Sequence, residues 1–99
     1  MIHVVAIITA QPGKRDELLQ AFTEVVPHVH AETGCIEYQP VTDSDDTGNQ
    51  SKLGMDTYMV IEKWERMEDL RAHASSQHMQ DYAQRTSHLV ADRKVYVLD

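Results

Sequence analysis

The order in which strand-like and helix-like patterns follow one another most constrains how these 99 residues can fold. The clearest pattern is the strict alternation of residues 57–64, which predicts a strand with two distinct faces. The other strand-like segments are 2–10, 35–39 and 94–98. Apolar residues at helical spacing predict one helix from about 18 to 32 and a helical region, broken near Ser75, from 67 to 90.

This order, β-α-β-β-α-β, is the split βαβ arrangement, in which two helices cover one face of a four-stranded antiparallel sheet. It predicts a ferredoxin-like α+β fold. A chain of this length can bury one modest core and has no room for two. We therefore expect residues 1–99 to form a single domain.

The second face of the predicted sheet is apolar and has no helix to cover it. The alternation places Val5, Ile7, Met59 and Ile61 on that face. An exposed apolar patch of this size usually marks an interface. The sequence therefore predicts a homodimer in which two sheets pack face to face.

Charge and hydropathy argue against two classes of partner, nucleic acid and membrane. Sixteen acidic residues against nine basic ones give a net charge of −7, with no cluster of Lys or Arg, which argues against nucleic acid and favours a neutral or weakly charged ligand. No apolar run reaches the roughly 18–20 residues that a membrane span needs. The first residues also lack a basic segment and a cleavage site, so we expect a cytoplasmic protein with no membrane partner.

The common motifs for cofactors and metals are missing from the sequence. No Gly-rich nucleotide loop follows the first strand. The acidic segment that starts at Asp43 imitates a calcium loop, but Gly54 stands where a bidentate Glu is required, so we interpret it as a solvated turn. No two of the six histidines have the spacing of helix neighbours, although histidines distant in sequence could still meet. The single cysteine, Cys35, is expected to be a buried, unreactive thiol.

One face of the 57–64 strand has residues that could carry chemistry. Glu62 and Trp64 share this face, and His73 and His78 lie on the helical region predicted to pack over it. An indole can stack on an aromatic ligand, and a nearby imidazole can accept a phenolic proton. A buried core Trp and a surface His would give the same spacing, so spacing alone leaves both interpretations open.

Four segments form a combined pattern that covers nearly the whole chain. They are Pro12-Gly13, ETGCIEY at 32–38, Glu62-Lys63-Trp64, and LRAHASSQHM at 70–79. Together they resemble the antibiotic biosynthesis monooxygenase (ABM) family. The resemblance implies a ferredoxin-like subunit, a dimeric α+β barrel, and a pocket between sheet and helices in each subunit.

The resemblance also implies a reaction, the oxidation of a quinol or anthrone-like hydroxylated aromatic by dioxygen. No flavin, haem or metal cofactor is needed, because the deprotonated substrate itself reduces oxygen. By this resemblance His73 would be the base or a hydrogen-bond partner, and Trp64 would stack on the ring. Further candidates for the pocket are Tyr38, Tyr58 and Tyr82, with Glu62 orienting a histidine and His78 as a wall or supporting residue.

Differences between this chain and some branches of the family bear on the alternative functions. A haem-degrading branch has an asparagine on its first strand where this chain has Ala6, which argues against haem degradation. Another relative isomerises a small phosphorylated sugar-like compound, and its pocket would need basic residues. The pattern places none of the arginines inside: Arg66, Arg71, Arg85 and Arg93. The remaining alternatives are a non-redox isomerase, a haem-handling protein, or a dimeric ligand-binding protein without turnover.

Overall fold

The computed structural model describes residues 1–46 and 48–99. The elements in these residues are β1 (Ile2–Ala10), α1 (Arg15–His30), β2 (Cys35–Val41), β3 (Thr57–Trp64), α2 (Met67–Ala74), α3 (Gln77–Thr86), a short 3₁₀ helix (Ser87–Leu89) and β4 (Val90–Leu98). The strands form one antiparallel sheet in the order β2-β3-β1-β4. The predicted ferredoxin-like α+β fold is confirmed. Within the described residues, no helix is long and apolar enough to cross a membrane.

The end of the chain differs from the predicted boundaries. The second helical region was predicted to reach Val90, but α3 ends at Thr86 and Val90 is already the first residue of β4. The strand therefore begins four residues before the predicted position 94. Its first part is largely polar and shows no alternation, so pairing with β1, and not local pattern, makes it a strand.

The core lies between the helices and one face of the sheet. Across β1 and β3 the register brings buried residues opposite one another: Val4 with Glu62, Ala6 with Val60, and Ile8 with Tyr58. Helix α1 contributes buried apolar side chains at helical spacing to the core: Leu18, Phe22, Val25 and Val29. Both strand faces predicted from the alternation are therefore confirmed for β3, and the helices pack on the face that carries Glu62 and Trp64.

The other sheet face is apolar, as predicted, and is only partly buried within one chain. Val5, Ile7, Met59 and Ile61 lie on it. The pairing of β4 with β1 adds Tyr96 and Leu98, which are exposed. This face extends across the sheet on the side away from the helices.

A glycine turn connects α1 to β2 and positions the surroundings of the site. Gly34 has φ of +78°, in the left-handed region that favours glycine, and a Cβ there would collide with the side chain of Asp69. Its carbonyl accepts the N–H of Glu65 at 2.9 Å. The turn is thus held against β3 and α2, which fixes Glu32 before it and Tyr38 after it.

The described residues of the acidic segment after β2, 42–46 and 48–54, form no helix or strand, as the sequence predicts. The carboxylate of Asp43 accepts the backbone N–H groups of Leu53 at 2.8 Å and Gly54 at 2.9 Å. These two hydrogen bonds hold the pKa of the Asp43 carboxyl below its usual value. The carboxylate therefore closes the turn through the backbone of residues ten and eleven positions later.

Candidate active site

A cavity of about 90 Å³ lies between the sheet and the helices. Its wall is largely aromatic and includes Phe22, Tyr38, Tyr58 and Tyr82. Phe22 stacks on Tyr38 with ring centroids 5.3 Å apart, and it meets Tyr58 and Tyr82 edge-on at 5.7 and 5.9 Å. Such flat, apolar walls suit an aromatic ring. The sequence predicted the tyrosines but not Phe22, whose helical spacing identified it only as a core residue.

A wider cleft of about 500 Å³ adjoins this cavity. The residues that line both spaces are Glu62, His73, Met79, Tyr82, Val90 and Arg93. The volume of the cleft falls within the roughly 300–1,000 Å³ of small-molecule sites. The described residues of the turn segment, 42–46 and 48–54, line neither space. The two spaces together form one candidate site that opens beside β4.

His73 occupies the centre of this site. It is buried on α2, and its ring centroid lies 4.8 Å from that of Trp64 and 5.2 Å from that of Tyr38. Its Nδ1–H donates a hydrogen bond to Oε2 of Glu32 at 2.9 Å. Because an ionised carboxylate can only accept, this contact fixes the ring proton on Nδ1. In the neutral ring, Nε2 is then an acceptor.

Glu32 is a site residue that reasoning from single residues missed. It lies just after α1, where the sequence indicated only the end of a helix, and its Oε2 accepts hydrogen bonds from both His73 and His78 at 2.9 Å. Ser76 also contacts both histidines, through the carbonyl of His73 at 2.8 Å and Nε2 of His78 at 3.3 Å. His78 therefore supports Glu32 and does not line the cavity.

Trp64 and Glu62 form a second pair beside His73. Trp64 is fully buried, and its Nε1–H donates to Oε1 of Glu62 at 3.0 Å. Glu62 and His73 line the cavity and Trp64 lies behind them, so the indole presents no free face to a ligand in this geometry. The carboxylate that orients a histidine is Glu32, and Glu62 instead binds the indole.

Burial keeps the weaker acids of the site neutral. Burial is the main cause that raises the pKa of each tyrosine hydroxyl above its ordinary value: Tyr38, Tyr58 and Tyr82. Burial, together with the charges of Glu32 and Glu62, also raises the pKa of Cys35 to about 11. The tyrosines are therefore hydroxyl donors. Cys35 is a neutral thiol, but it is only partly buried, whereas the sequence predicted a buried one.

Arg93 is a second residue that the sequence did not place in the site. It lies opposite Ile8 on the helix-covered side of β4, and it lines both the cavity and the cleft. Arg71 lines the cleft as well. The sequence pattern placed none of the arginines inside, and the polar start of β4 gives no alternation from which the face of Arg93 could be predicted. Both Arg71 and Arg93 are exposed residues that border the site. Ala6 lines the cavity and offers no polar side chain there.

Burial raises the pKa of the Glu62 carboxyl, and the indole N–H and the nearby His73 offset this only in part. We expect Glu62→Gln to raise the melting temperature near neutral pH by about 5 °C, the effect of roughly 1 kcal/mol in a domain of this size. Gln keeps an oxygen for the indole but carries no charge.

Proton binding to Glu62 makes the stability gain of Glu62→Gln depend on pH. Because the folded-state pKa is raised, the stability contributed by protonated Glu62 is present below the unfolded value of 4.5 and is lost as pH rises through the folded value. The advantage of Glu62→Gln should therefore shrink at acid pH. Thermal unfolding of the unmodified chain and of Glu62→Gln from about pH 4 to about pH 8 measures the difference in melting temperature. A difference that is constant over this range would contradict the prediction.

The chain is thus a small α+β subunit that holds an aromatic pocket and a carboxylate-bound histidine between its sheet and its helices. The family model described as Antibiotic biosynthesis monooxygenase matches residues 1–85. The chain belongs to this family, which confirms the resemblance seen in the sequence.

Individual relatives agree with this assignment. The chain is 31% identical over 100 residues to a protein of Escherichia coli (strain K12) named "Probable quinol monooxygenase YgiN", covering 99% of this chain and 96% of that protein. The structure of this chain is similar to that of PA3566 from Pseudomonas aeruginosa, with a TM-score of 0.81 and 25% identity. The match covers 98% of this chain and 90% of that one. Rv0793 from Mycobacterium tuberculosis shares the fold, with a TM-score of 0.80 at 21% identity over 99% of this chain and 92% of that one.

Proposed function

We propose that this chain is a cofactor-independent monooxygenase that uses dioxygen to oxidise a quinol or an anthrone-like hydroxylated aromatic. The observation that carries the proposal is His73, which lines an aromatic cavity while Glu32 holds the proton on its Nδ1. Membership of the monooxygenase family and likeness to a protein named as a probable quinol monooxygenase support oxidoreductase activity.

The proposed substrate enters from the cleft and places its hydroxylated ring in the aromatic cavity. A volume of about 90 Å³ accommodates part of a fused ring system, and the remainder extends into the cleft of about 500 Å³. Phe22 and Tyr38 would provide flat surfaces for the ring, and the protonated hydroxyls of Tyr58 and Tyr82 would donate hydrogen bonds. Trp64 would hold Glu62 and His73 in place and would not stack on the ring directly.

His73 is the proposed base. Its Nε2 would accept the proton of the substrate, and the carboxylate of Glu32 would stabilise the imidazolium that forms. The substrate anion then transfers one electron to dioxygen, and the resulting radical and superoxide combine to a peroxide. The His73 imidazolium returns its proton to the peroxide. Loss of water from this hydroperoxide, with the hydrogen of the attacked carbon, leaves a carbonyl, so one oxygen atom enters the product and the other leaves as water. The guanidinium of Arg93 is a donor for the negative oxygen species.

Oxygen uptake tests this function directly. Chelator-treated protein is offered hydroquinones, naphthoquinols and anthrones on an oxygen electrode, with heat-denatured protein as the control. We expect uptake above autoxidation for at least one compound class. A Soret band on addition of haem, with bleaching by reductant, would favour a haem-handling protein instead. Tight binding of aromatic compounds without uptake would favour a binding protein.

We further propose that the uncovered sheet face joins two copies of the chain. Val5, Ile7, Met59 and Ile61 form its centre, and apolar residues that are half-exposed in one subunit would be buried in a dimer. Within one chain the helices cover the opposite face, so a second copy is the simplest partner for a surface of this composition.

Ile61→Asp is expected to convert the dimer to a monomer, because a carboxylate buried without a partner in the interface is strongly unfavourable. Gln84→Asp, which adds the same charge on the exposed side of α3, is the matched control and should remain dimeric. Light scattering or sedimentation velocity at equal protein concentration measures the mass. A dimer that persists in Ile61→Asp would rule out this face as the interface.

The charge of the substrate and the cytoplasmic location of the protein both stay predictions from the sequence. The net charge of −7 favours a neutral or weakly charged substrate, although Arg93 and Arg71 line part of the site. Affinity that increases with phosphate groups on the ligand would contradict it.

A further inference from the structure

Three metal-ligating side chains from separate parts of the chain converge at the side of the cavity. Oε2 of Glu32 lies 2.9 Å from Nδ1 of His73 and 2.9 Å from Nε2 of His78. All three ligand atoms lie within 4.8 Å of one another. The histidines lie on α2 and α3 and Glu32 follows α1, so the fold and not the sequence spacing brings them together.

We propose that Glu32, His73 and His78 form a binding site for a zinc-like divalent transition-metal ion. Two imidazole nitrogens and one carboxylate oxygen are a donor set that Zn²⁺ accepts, with water in the fourth position. The net charge of −7 further favours a cation over an anion as a partner of the chain.

Binding of a metal ion at this cluster requires only local movement of the ligand side chains. Ligand distances of about 2.0–2.1 Å in a tetrahedral site put ligand atoms about 3.3–3.4 Å from one another. The two N···O distances of 2.9 Å therefore need to lengthen slightly. The two ligand nitrogens, which lie within 4.8 Å of each other, need to approach to about the same 3.3–3.4 Å. His73 is fixed, with 7% of its side chain exposed, whereas His78 has 31% exposed and can rotate to complete the site. The same exposure gives an ion a route from solvent.

Occupation of the site would switch off the proposed base, a consequence that rests on the proposed function. A metal ion on Nδ1 of His73 displaces the proton that Glu32 now holds, and the neutral ring then carries its proton on Nε2. Nε2 would then be a donor and could not accept the substrate proton. The cluster would thus make the monooxygenase sensitive to inhibition by zinc.

Metal binding is tested on the untagged, chelator-treated chain without substrate. Calorimetric titration with Zn²⁺ and the visible absorption of bound Co²⁺ should show one ion per chain. His78→Ala and His78→Gln should weaken binding at least about 10-fold, a loss typical of perturbed metal sites. His88→Ala, an exposed histidine outside the cluster, should bind as the unmodified chain does. Equal affinity in the His78 variants and the unmodified chain, or no stoichiometric binding, would overturn the site.

Inhibition is tested separately from binding. Zn²⁺ at concentrations that fill the site should abolish oxygen uptake in the unmodified chain, and chelator should restore it. The His78 variants should need at least about 10-fold more Zn²⁺ for the same inhibition. Stoichiometric binding with unchanged uptake would overturn the switch but leave the site. Binding in a protein that never consumes oxygen would overturn the proposed function and not the metal site.

Discussion

His73→Ala is expected to lower enzyme-catalysed oxygen uptake by about 100- to 10,000-fold, the usual contribution of a positioned general base. The structure gives this residue a fixed ring, a proton held on Nδ1 by Glu32, and a place in the wall of the aromatic cavity. Uptake on an oxygen electrode, corrected for autoxidation, measures the loss. Added imidazole should restore part of the rate, because the truncated side chain leaves space for a small base.

Two matched variants make this result specific. His88→Ala removes an exposed histidine away from the site and should keep the full rate. Glu32→Gln keeps the size of the side chain that binds His73 but removes its charge, so its rate should lie between those of His73→Ala and the unmodified chain. Unchanged uptake in a folded His73→Ala protein would exclude His73 as the base.

Trp64→Ala is expected to lower the free energy of unfolding by about 3–5 kcal/mol, as truncation of a fully buried aromatic residue does. Trp64 has no exposed surface, and its loss would leave a void beside His73 and the buried carboxylate of Glu62 without its N–H donor. Such a loss is a large part of the roughly 5–15 kcal/mol that stabilise a typical domain. Denaturant unfolding at fixed protein concentration measures it.

Two further variants separate the contributions to this effect. Trp64→Phe keeps most of the ring but no N–H, and we expect a loss of about 1–3 kcal/mol from the unpaired Glu62 carboxylate. Met55→Ala changes a side chain that is 81% exposed and should cost less than about 0.5 kcal/mol. Similar losses in Trp64→Ala and Met55→Ala would contradict the interpretation of Trp64 as a residue that stabilises the core.

Much of the site could be predicted because it lies on regular elements. The alternation of β3 identified the face that carries Tyr58, Glu62 and Trp64, and helical spacing placed His73 on the element that covers this face. A strand of period two leaves little freedom about which side chains share a face. The relative positions of these residues therefore followed from local pattern, and the structure confirmed their common face.

The order of elements and the sheet faces could be predicted without the structure, because each depends on spacing within a segment. The family could be predicted from the combined motifs. Three features of the site emerged only when the elements packed together. Glu32 holds His73 and His78, Trp64 lies behind the cavity wall, and Arg93 reaches the site. Hydrophobic periodicity reports which face of its own element a residue occupies. Periodicity does not show which residue of another element a side chain contacts, because that contact depends on register, turns and packing.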